Sequence, residues 1–373
     1  MTALMDTMTG VLPDMLSDVE QLIRCESPSS DAAAVARSAD LVARIGAHRL
    51  GSAPARIDVD GTPHLRWSWG EGPARVLVLG HHDTVWPIGS LQTHPYEIRE
   101  GIMRGPGCVD MKVGLVMAFH AIAALADRTG VTLLITGDEE VGSPNSRALI
   151  EAQAAGCVAA LVLEAAADGG AVKTARKGVS RYDVGVIGRA SHAGLAPRDG
   201  VNALVEMAHQ VLAIQAMDDA SNLGTTVTAT VGSAGTATNT VPAQGRIAVD
   251  VRVWESSEQD RVDVAMHALM PVLPQASLQI SGGPNRAPLE RAMAAGLYDR
   301  AVVLARELGL PALQQARVGG ASDGNFTAGV GVATLDGLGA NGGGAHADDE
   351  HVIVADIPGR TALLTLLIME LLS

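Results

Sequence analysis

Several short apolar runs in this chain end in residues able to do chemistry. RVLVLG (75–80) runs into His81-His82-Asp83, and VTLLIT (131–136) into Gly137-Asp138-Glu139-Glu140. AALVLE (159–164) closes on Glu164, GPGCVDMK carries Asp110, and the glycine-rich GLGANGGGAHADDEH carries His346. Imidazoles and carboxylates without a thiolate suit a catalytic divalent metal, zinc first, rather than a structural cysteine site. A carboxylate such as Asp110 can bridge two ions roughly 3.5–4 Å apart. In an extended segment, residues 81 and 83 share a side. Asp83 is therefore placed to accept from the second ring nitrogen of His81 and fix its tautomer, while His82 faces the other way. Adjacent Glu139 and Glu140 cannot be equivalent ligands. One can hold metal while the other takes a proton from water and delivers it to a leaving amine, which is the division that metal-assisted amide hydrolysis needs.

Taken singly, each residue has a duller explanation. A lone histidine is more often structural than a ligand. Glu139-Glu140 alone reads as a solvated turn, Glu164 as a helix cap, and His346 as loop. Asp110 suits the N-cap of the helix that follows it. Cys108, beside Asp110, reads as a small buried residue, and Lys173, Arg176 and Lys177 as solvated. The metal reading rests on convergence from five separated segments.

Open α/β sheets build sites at the carboxyl ends of their strands, and the three runs above have the composition of strands buried on both faces. The long apolar stretch 113–126 between two of them reads as a buried helix, so residues 1–178 predict a largely parallel α/β sheet. From 179 the pattern changes. YDVGVIG and TTVTATVG read as strands, and in GRIAVDVRVW the alternation of Ile247, Val249, Val251 and Val253 marks a strand with one buried face. Leu204, Met207, Ala208, Val211 and Leu212 recur at helical spacing. A second helix near 258–271 and the strand SLQISG complete a β-α-β-β-α-β, ferredoxin-like order. SGGPNRAP suits a boundary. The expected organisation is one domain of 1–178 plus 288–373, with a smaller domain of 179–287 inserted into it. A length of 373 residues agrees with two domains.

A net charge of −14 argues against nucleic acid or an anionic membrane as partner. Three cysteines, Cys25, Cys108 and Cys157, form no CxxC pair and fit a reducing compartment. The first residues lack a basic region followed by a long apolar stretch. ALLTLLIMELLS is too short to span a bilayer and contains Glu370. These features predict a soluble, cytoplasmic protein.

HHDTV, GPGCVDMK, TGDEEVGS, LVLEAA, SHAG and GGGAH-x-x-DEHV together, in order from about residue 75 to 352, resemble the co-catalytic zinc peptidase and deacylase family. That family includes glutamate carboxypeptidases, acetylornithine deacetylases, succinyl-diaminopimelate desuccinylases and aminoacylases. HDTVWPIGSL and LEAAADGGAVKTARKGVSRY are most similar to its bacterial glutamate carboxypeptidase-like branch. The resemblance implies two zinc ions, with cobalt or manganese as substitutes. His81 and Glu164 would bind one and Glu140 and His346 the other. Asp110 would bridge them, with a cis peptide to Met111. It further implies Asp83 behind His81 and Glu139 as general base. The resemblance makes 1–178 plus 288–373 the catalytic domain and the inserted 179–287 a lid and dimerisation domain. His192 would stabilise the oxyanion and reach the partner subunit's site in a homodimer, and Asn239 and Arg252 would hold the substrate's carboxylate end. The implied reaction is attack of a zinc-bound hydroxide on an amide, releasing a C-terminal amino acid, glutamate being one candidate, from an N-acyl or peptidyl substrate. The alternatives are a deacylase of small N-acyl amino acids and a catalytically silent binding module. One departure stands out: where relatives usually read DxKGG, Val113 replaces a glycine, which is expected to tighten the nearby pocket.

Overall fold

The computed structural model describes residues 1–373 and divides into two compact units. The first comprises residues 1–175, 291–318 and 322–373; the second comprises 176–290 with 319–321.

A six-stranded sheet forms the centre of the first unit, in the order Ala55–Val59, Thr62–Ser68, Val131–Thr136, Val76–His81, Ala159–Val162, Ala333–Leu335. Its last four strands are mutually parallel and the first two run antiparallel. Every residue of Val76–His81, Val131–Thr136 and Ala159–Val162 is buried, as expected of apolar runs covered on two faces. The apolar helix Val113–Ala123 is buried along nearly its whole length and packs with Ile357–Leu372, the C-terminal run. Gly114 permits a close approach at the helix start, because a Cβ there would collide with the carbonyl oxygen of Leu163. Val113 is fully buried in the hydrophobic core, so the departure from DxKGG adds to packing rather than tightening a pocket. Asp31 caps the helix Ala32–Leu50, its carboxylate accepting from the Ala34 N–H at 3.0 Å.

Parallel register aligns the strand ends. His81 pairs with Thr136 and Leu79 with Val162, so the segments after all three strands leave from one edge of the sheet. No helix is long and apolar enough to cross a membrane.

The second unit is an antiparallel four-stranded sheet in the order Thr226–Ala234, Gln244–Val253, Gly178–Ile187, Ser277–Arg286. With helices Ala203–Gln215 and Ser256–His267, the chain order is β-α-β-β-α-β. Ile247, Val249, Val251 and Val253 all face its core. In the helix Ala203–Gln215, Met207 and Val211 pack against the core as the apolar spacing suggests, but the most buried face is rotated away from the rest of that set. Ala203, Glu206, Gln210 and Ile214 are buried, whereas Leu204, Ala208 and Leu212 are exposed. The reason is a polar anchor: the Glu206 carboxylate accepts from the N–H groups of Val272 at 3.0 Å and Leu273 at 2.6 Å, and from Gln210 Nε2 at 2.7 Å.

Candidate metal centre

The aligned strand ends bring five side chains to one place. His81 is the last residue of its strand, and its Nε2 lies 3.2 Å from Asp110 Oδ1 and 3.6 Å from Glu164 Oε1. His346 Nε2 lies 3.3 Å from Asp110 Oδ2 and 3.1 Å from Glu140 Oε2. Two groups of three donors result, His81-Asp110-Glu164 and Asp110-Glu140-His346, with the donor atoms of each within 4.8 Å of one another. They share Asp110, which turns one oxygen to each histidine. The peptide bond from Asp110 to Met111 is cis.

Side chains so arranged are chemically incomplete. His81 Nε2, Asp110 Oδ1 and Glu140 Oε1 are buried with no hydrogen-bond partner. Buried polar atoms are rarely left so, and a cation shared among them satisfies all three. The donor set is nitrogen and oxygen only, the set that zinc, manganese and cobalt accept. The residues present therefore fit a divalent metal.

Charge behaves accordingly. Burial lowers the proton affinity of His81, yet the neighbouring carboxylates of Asp110, Asp83 and Glu164 carry it well above the usual histidine range. Contacts with Asp110 and Glu140 push His346 up to about 10. Burial opposes ionisation of Asp110, but His346 and His81 hold it below the usual carboxylate range. Glu140 moves upward, because burial and the neighbouring Asp110 charge outweigh His346. The raised proton affinity of both histidines means that a metal ion and a proton compete for their ring nitrogens.

Around the ligands lies a supporting layer. His81 Nδ1 is 3.0 Å from the backbone carbonyl of Asp83, whereas the Asp83 carboxylate stands 3.5 Å away. The main chain thus fixes the tautomer, which corrects the expectation from H-x-D spacing that the Asp83 carboxylate would do so. The Asp83 carboxylate instead accepts from the N–H groups of Glu139 and Glu140, each at 3.2 Å, and from the Ser29 hydroxyl at 2.6 Å. It therefore pins the two glutamates beside the histidine. Glu139 is buried. His82 turns to Ser38 and to the carbonyl of Pro63, and burial lowers it to about 4. Asp110 does not cap the following helix, whose N-cap is Lys112. Cys108 is buried and all three cysteines are free.

Two supporting residues escape a reading of the sequence. Glu350 is 3% exposed and takes four donors: the N–H groups of Val109 (2.9 Å) and Asp110 (3.2 Å) on Oε1, and Gly107 N–H (2.9 Å) and the Trp86 indole (2.6 Å) on Oε2. Asp323 accepts from the Ser143 hydroxyl and from Thr136 Oγ1, the latter at 3.1 Å, and so ties down both ends of the segment carrying Glu139 and Glu140. The DDEH run was the signal for Glu350; for Asp323 there was none, because its partners are distant in sequence.

His192, Asn239 and Arg252 belong to the second unit. The strand Ser191–His192 pairs with Thr240–Val241, and the Ala193 N–H donates to the Asn239 carbonyl at 2.8 Å, so His192 and Asn239 are neighbours. His192 Nδ1 accepts from the N–H groups of Gly194 and Leu195, both at 3.1 Å, which leaves the ring proton on Nε2. Arg252 makes a two-pronged pair with Asp250 at 2.7 and 3.1 Å. Arg176, expected to be solvated, is buried and donates to the Gly320 carbonyl at 3.1 Å; Lys177 sits 5.4 Å from the Trp254 ring centroid.

A mainly parallel sheet whose strand ends and adjoining loops gather carboxylate and imidazole donors has the build of a metal-dependent enzyme. Residues 77–370 match the family model described as Peptidase family M20/M25/M40, and the chain belongs to that family. It is 31% identical over 379 residues to "Carboxypeptidase G2" of Pseudomonas sp. (strain RS-16), covering 97% of this chain and 90% of that protein. It is 28% identical over 382 residues to "Succinyl-diaminopimelate desuccinylase" of Methylorubrum extorquens (strain PA1), covering 93% and 96%. Among solved structures, the M20 family metallo-carboxypeptidase Sso-CP2 from Sulfolobus solfataricus shares the fold with a TM-score of 0.73 at 16% identity, covering 95% of this chain and 99% of that one. Metal-dependent amide hydrolysis is the reaction class.

Proposed function

We propose that the protein is a dinuclear zinc carboxypeptidase that releases a C-terminal amino acid, glutamate being the first candidate, from an N-acyl or peptidyl substrate. The observation that carries this reading is the shared Asp110, one oxygen toward His81 and the other toward His346. A carboxylate with that geometry suits two ions, His81 and Glu164 completing one site and Glu140 and His346 the other, with cobalt or manganese as substitutes. When bound, the ions supply Lewis acidity to the amide carbonyl and acidify water. Glu139, held beside Glu140 by Asp83, is the general base and passes its proton to the leaving amine. His192 carries a donor Nε2–H suited to a developing oxyanion, and Arg252 and Asn239 hold the substrate's carboxylate end. Thirty-one per cent identity to carboxypeptidase G2 supports the C-terminal specificity.

A second reading, deacylation of small N-acyl amino acids, has support from the similarity to the desuccinylase. A homodimer through the second unit is also proposed, with the first unit catalytic and the second acting as lid. Its exposed Leu212 (65%) and Val231 (62%) are apolar surface suited to burial against a second copy. A cytoplasmic location is proposed as well; the low cysteine count, with all three cysteines free, supports it.

The test is hydrolysis by zinc-loaded protein of benzoyl-, acetyl- and succinyl-amino acids, pteroyl-glutamate and short peptides, read by mass spectrometry, with Glu139→Ala beside it. Turnover of acyl-glutamates, lost in Glu139→Ala with metal content unchanged, is the expected result. Turnover restricted to acetyl or succinyl compounds selects the deacylase. Failure to bind metal or to turn over any amide overturns the enzyme reading and leaves a silent binding module.

A further inference from the structure

The first unit contains a cavity of about 370 Å³ lined by none of the metal-centre side chains. Its walls are mainly apolar, with Leu12, the pair Leu310 and Leu313, and Leu363 contributed by three separate segments. Arg360, in the first turns of the helix Ile357–Leu372, also lines it and is 9% exposed. Its bonds go to backbone carbonyls: Nε to Gly339, Nη1 to Gly170 at 2.8 Å and Nη2 to Gly337 at 2.6 Å. Burial pushes its guanidinium down to about 10, with Asp356 acting in the opposite direction. A guanidinium has five N–H bonds. The three carbonyls therefore leave two without a partner, on a cation at the wall of an apolar cavity. Arginine is the side chain best suited to a planar carboxylate, and the volume is that of a small-molecule site. Asp356, on the same wall, receives the Asn341 amide at 2.6 Å and is the one acidic group lining the cavity.

We infer that this cavity binds a small carboxylic acid with a branched apolar body, its carboxylate on Arg360 and its hydrocarbon among the leucines. Two sources offer that chemistry. One is a free branched-chain acid. The other is an apolar amino acid, whose ammonium group Asp356 would meet. Both are the kinds of molecule that amide hydrolysis releases, so the ligand class rests in part on the proposed function, while the site itself does not. The carbonyls held by Arg360 also join the cavity to the metal centre. Gly337 and Gly339 stand in the segment that leads to His346, and the Gly339 N–H donates to the Glu164 carbonyl at 2.9 Å. A ligand that recruits the guanidinium thereby alters the hold on two of the proposed ligands.

The full chain, stripped of metal so that carboxylates have no ion to bind, is titrated calorimetrically with 4-methylpentanoate, leucine and the neutral 4-methylpentanamide, and melted with each. One-to-one saturable binding of a carboxylate with a raised Tm is expected. The amide should bind about tenfold or more weakly, having lost a charge-assisted pair. Ala312 is exposed and lines the cavity, so Ala312→Trp should fill its mouth and abolish binding while leaving the ligand-free Tm nearly unchanged. Arg360→Lys, which keeps the charge and loses the fork, should weaken binding about tenfold; if it does not fold, Ala312→Trp decides. Preference for leucine identifies the amino acid as the ligand, and preference for 4-methylpentanoate the free acid. No binding without metal, equal affinity for the amide, or binding indifferent to Ala312→Trp overturns the inference. Because this test is run without metal and reads no turnover, its failure leaves the hydrolase reading standing, and failure of that reading leaves this one.

Discussion

Glu350→Gln isolates the support beneath the proposed bridging carboxylate without touching a ligand. The Glu350 carboxylate accepts Val109 and Asp110 N–H on one oxygen, and Gly107 N–H and the Trp86 indole on the other. Glutamine keeps the shape but replaces one oxygen with an NH₂ group. Whichever way the amide turns, two donors lose their acceptor and face another donor. A hydrogen bond to a charged group contributes about 1.5–3 kcal/mol, so losing two costs roughly 3–6 kcal/mol. Part is recovered, because burial disfavours the carboxylate and raises its pKa, and a neutral amide avoids that penalty. A net loss of about 2–4 kcal/mol is expected. Since the affected loop carries Asp110, metal affinity should fall by about 10–100-fold, as for other outer partners of metal ligands. Urea unfolding of the metal-free variant measures the first quantity, and competition with a chromophoric chelator the second. Stability and metal affinity both indistinguishable from the parent would refute the argument that Glu350 organises this loop.

Other consequences follow from the same geometry. Asp83→Ala removes the anchor of the Glu139 and Glu140 N–H groups, and kcat should drop by about 10²-fold or more, with KM much less affected; a changed KM at constant kcat would contradict this. With His346 held near 10 in the metal-free chain, zinc binding at pH 8 should displace its proton, so the calorimetric enthalpy should vary with buffer ionisation enthalpy. A buffer-independent enthalpy would refute that displacement. The same raised value means that His346 stabilises the metal-free fold fully below its unfolded pKa near 6.5 and ceases to do so as pH rises through about 10. The metal-free chain should lose stability across that window, and His346→Gln should flatten the dependence. Arg252→Ala should raise KM about tenfold or more with kcat changed less, if the guanidinium leaves Asp250 for a substrate carboxylate; an unchanged KM would assign Arg252 to its ion pair alone.

What was legible in the sequence was local. An apolar run followed by a polar residue declares a buried strand and its end, and parallel register then brings His81, the Glu139-Glu140 segment and Glu164 to one edge of the sheet. Alternation gave the strand Gln244–Val253 its buried face. Partners set by tertiary contact were not legible. Asp83 was expected to serve the imidazole through its carboxylate, yet the imidazole takes the main-chain carbonyl and the carboxylate spans to the neighbouring loop. Glu206 follows the same logic. A glutamate at an inward helical position looks like a break in the apolar stripe until the N–H groups of Val272 and Leu273, more than sixty residues away, supply its reason. Glu350, Asp323 and Arg360 likewise bind backbone groups or hydroxyls remote in sequence. Ligands are confined to the few residue types a metal accepts, so their positions can be read from spacing. The side chains that hold those ligands satisfy backbone donors and acceptors, which every residue carries, and sequence alone gives no way to tell which of them will be left to satisfy.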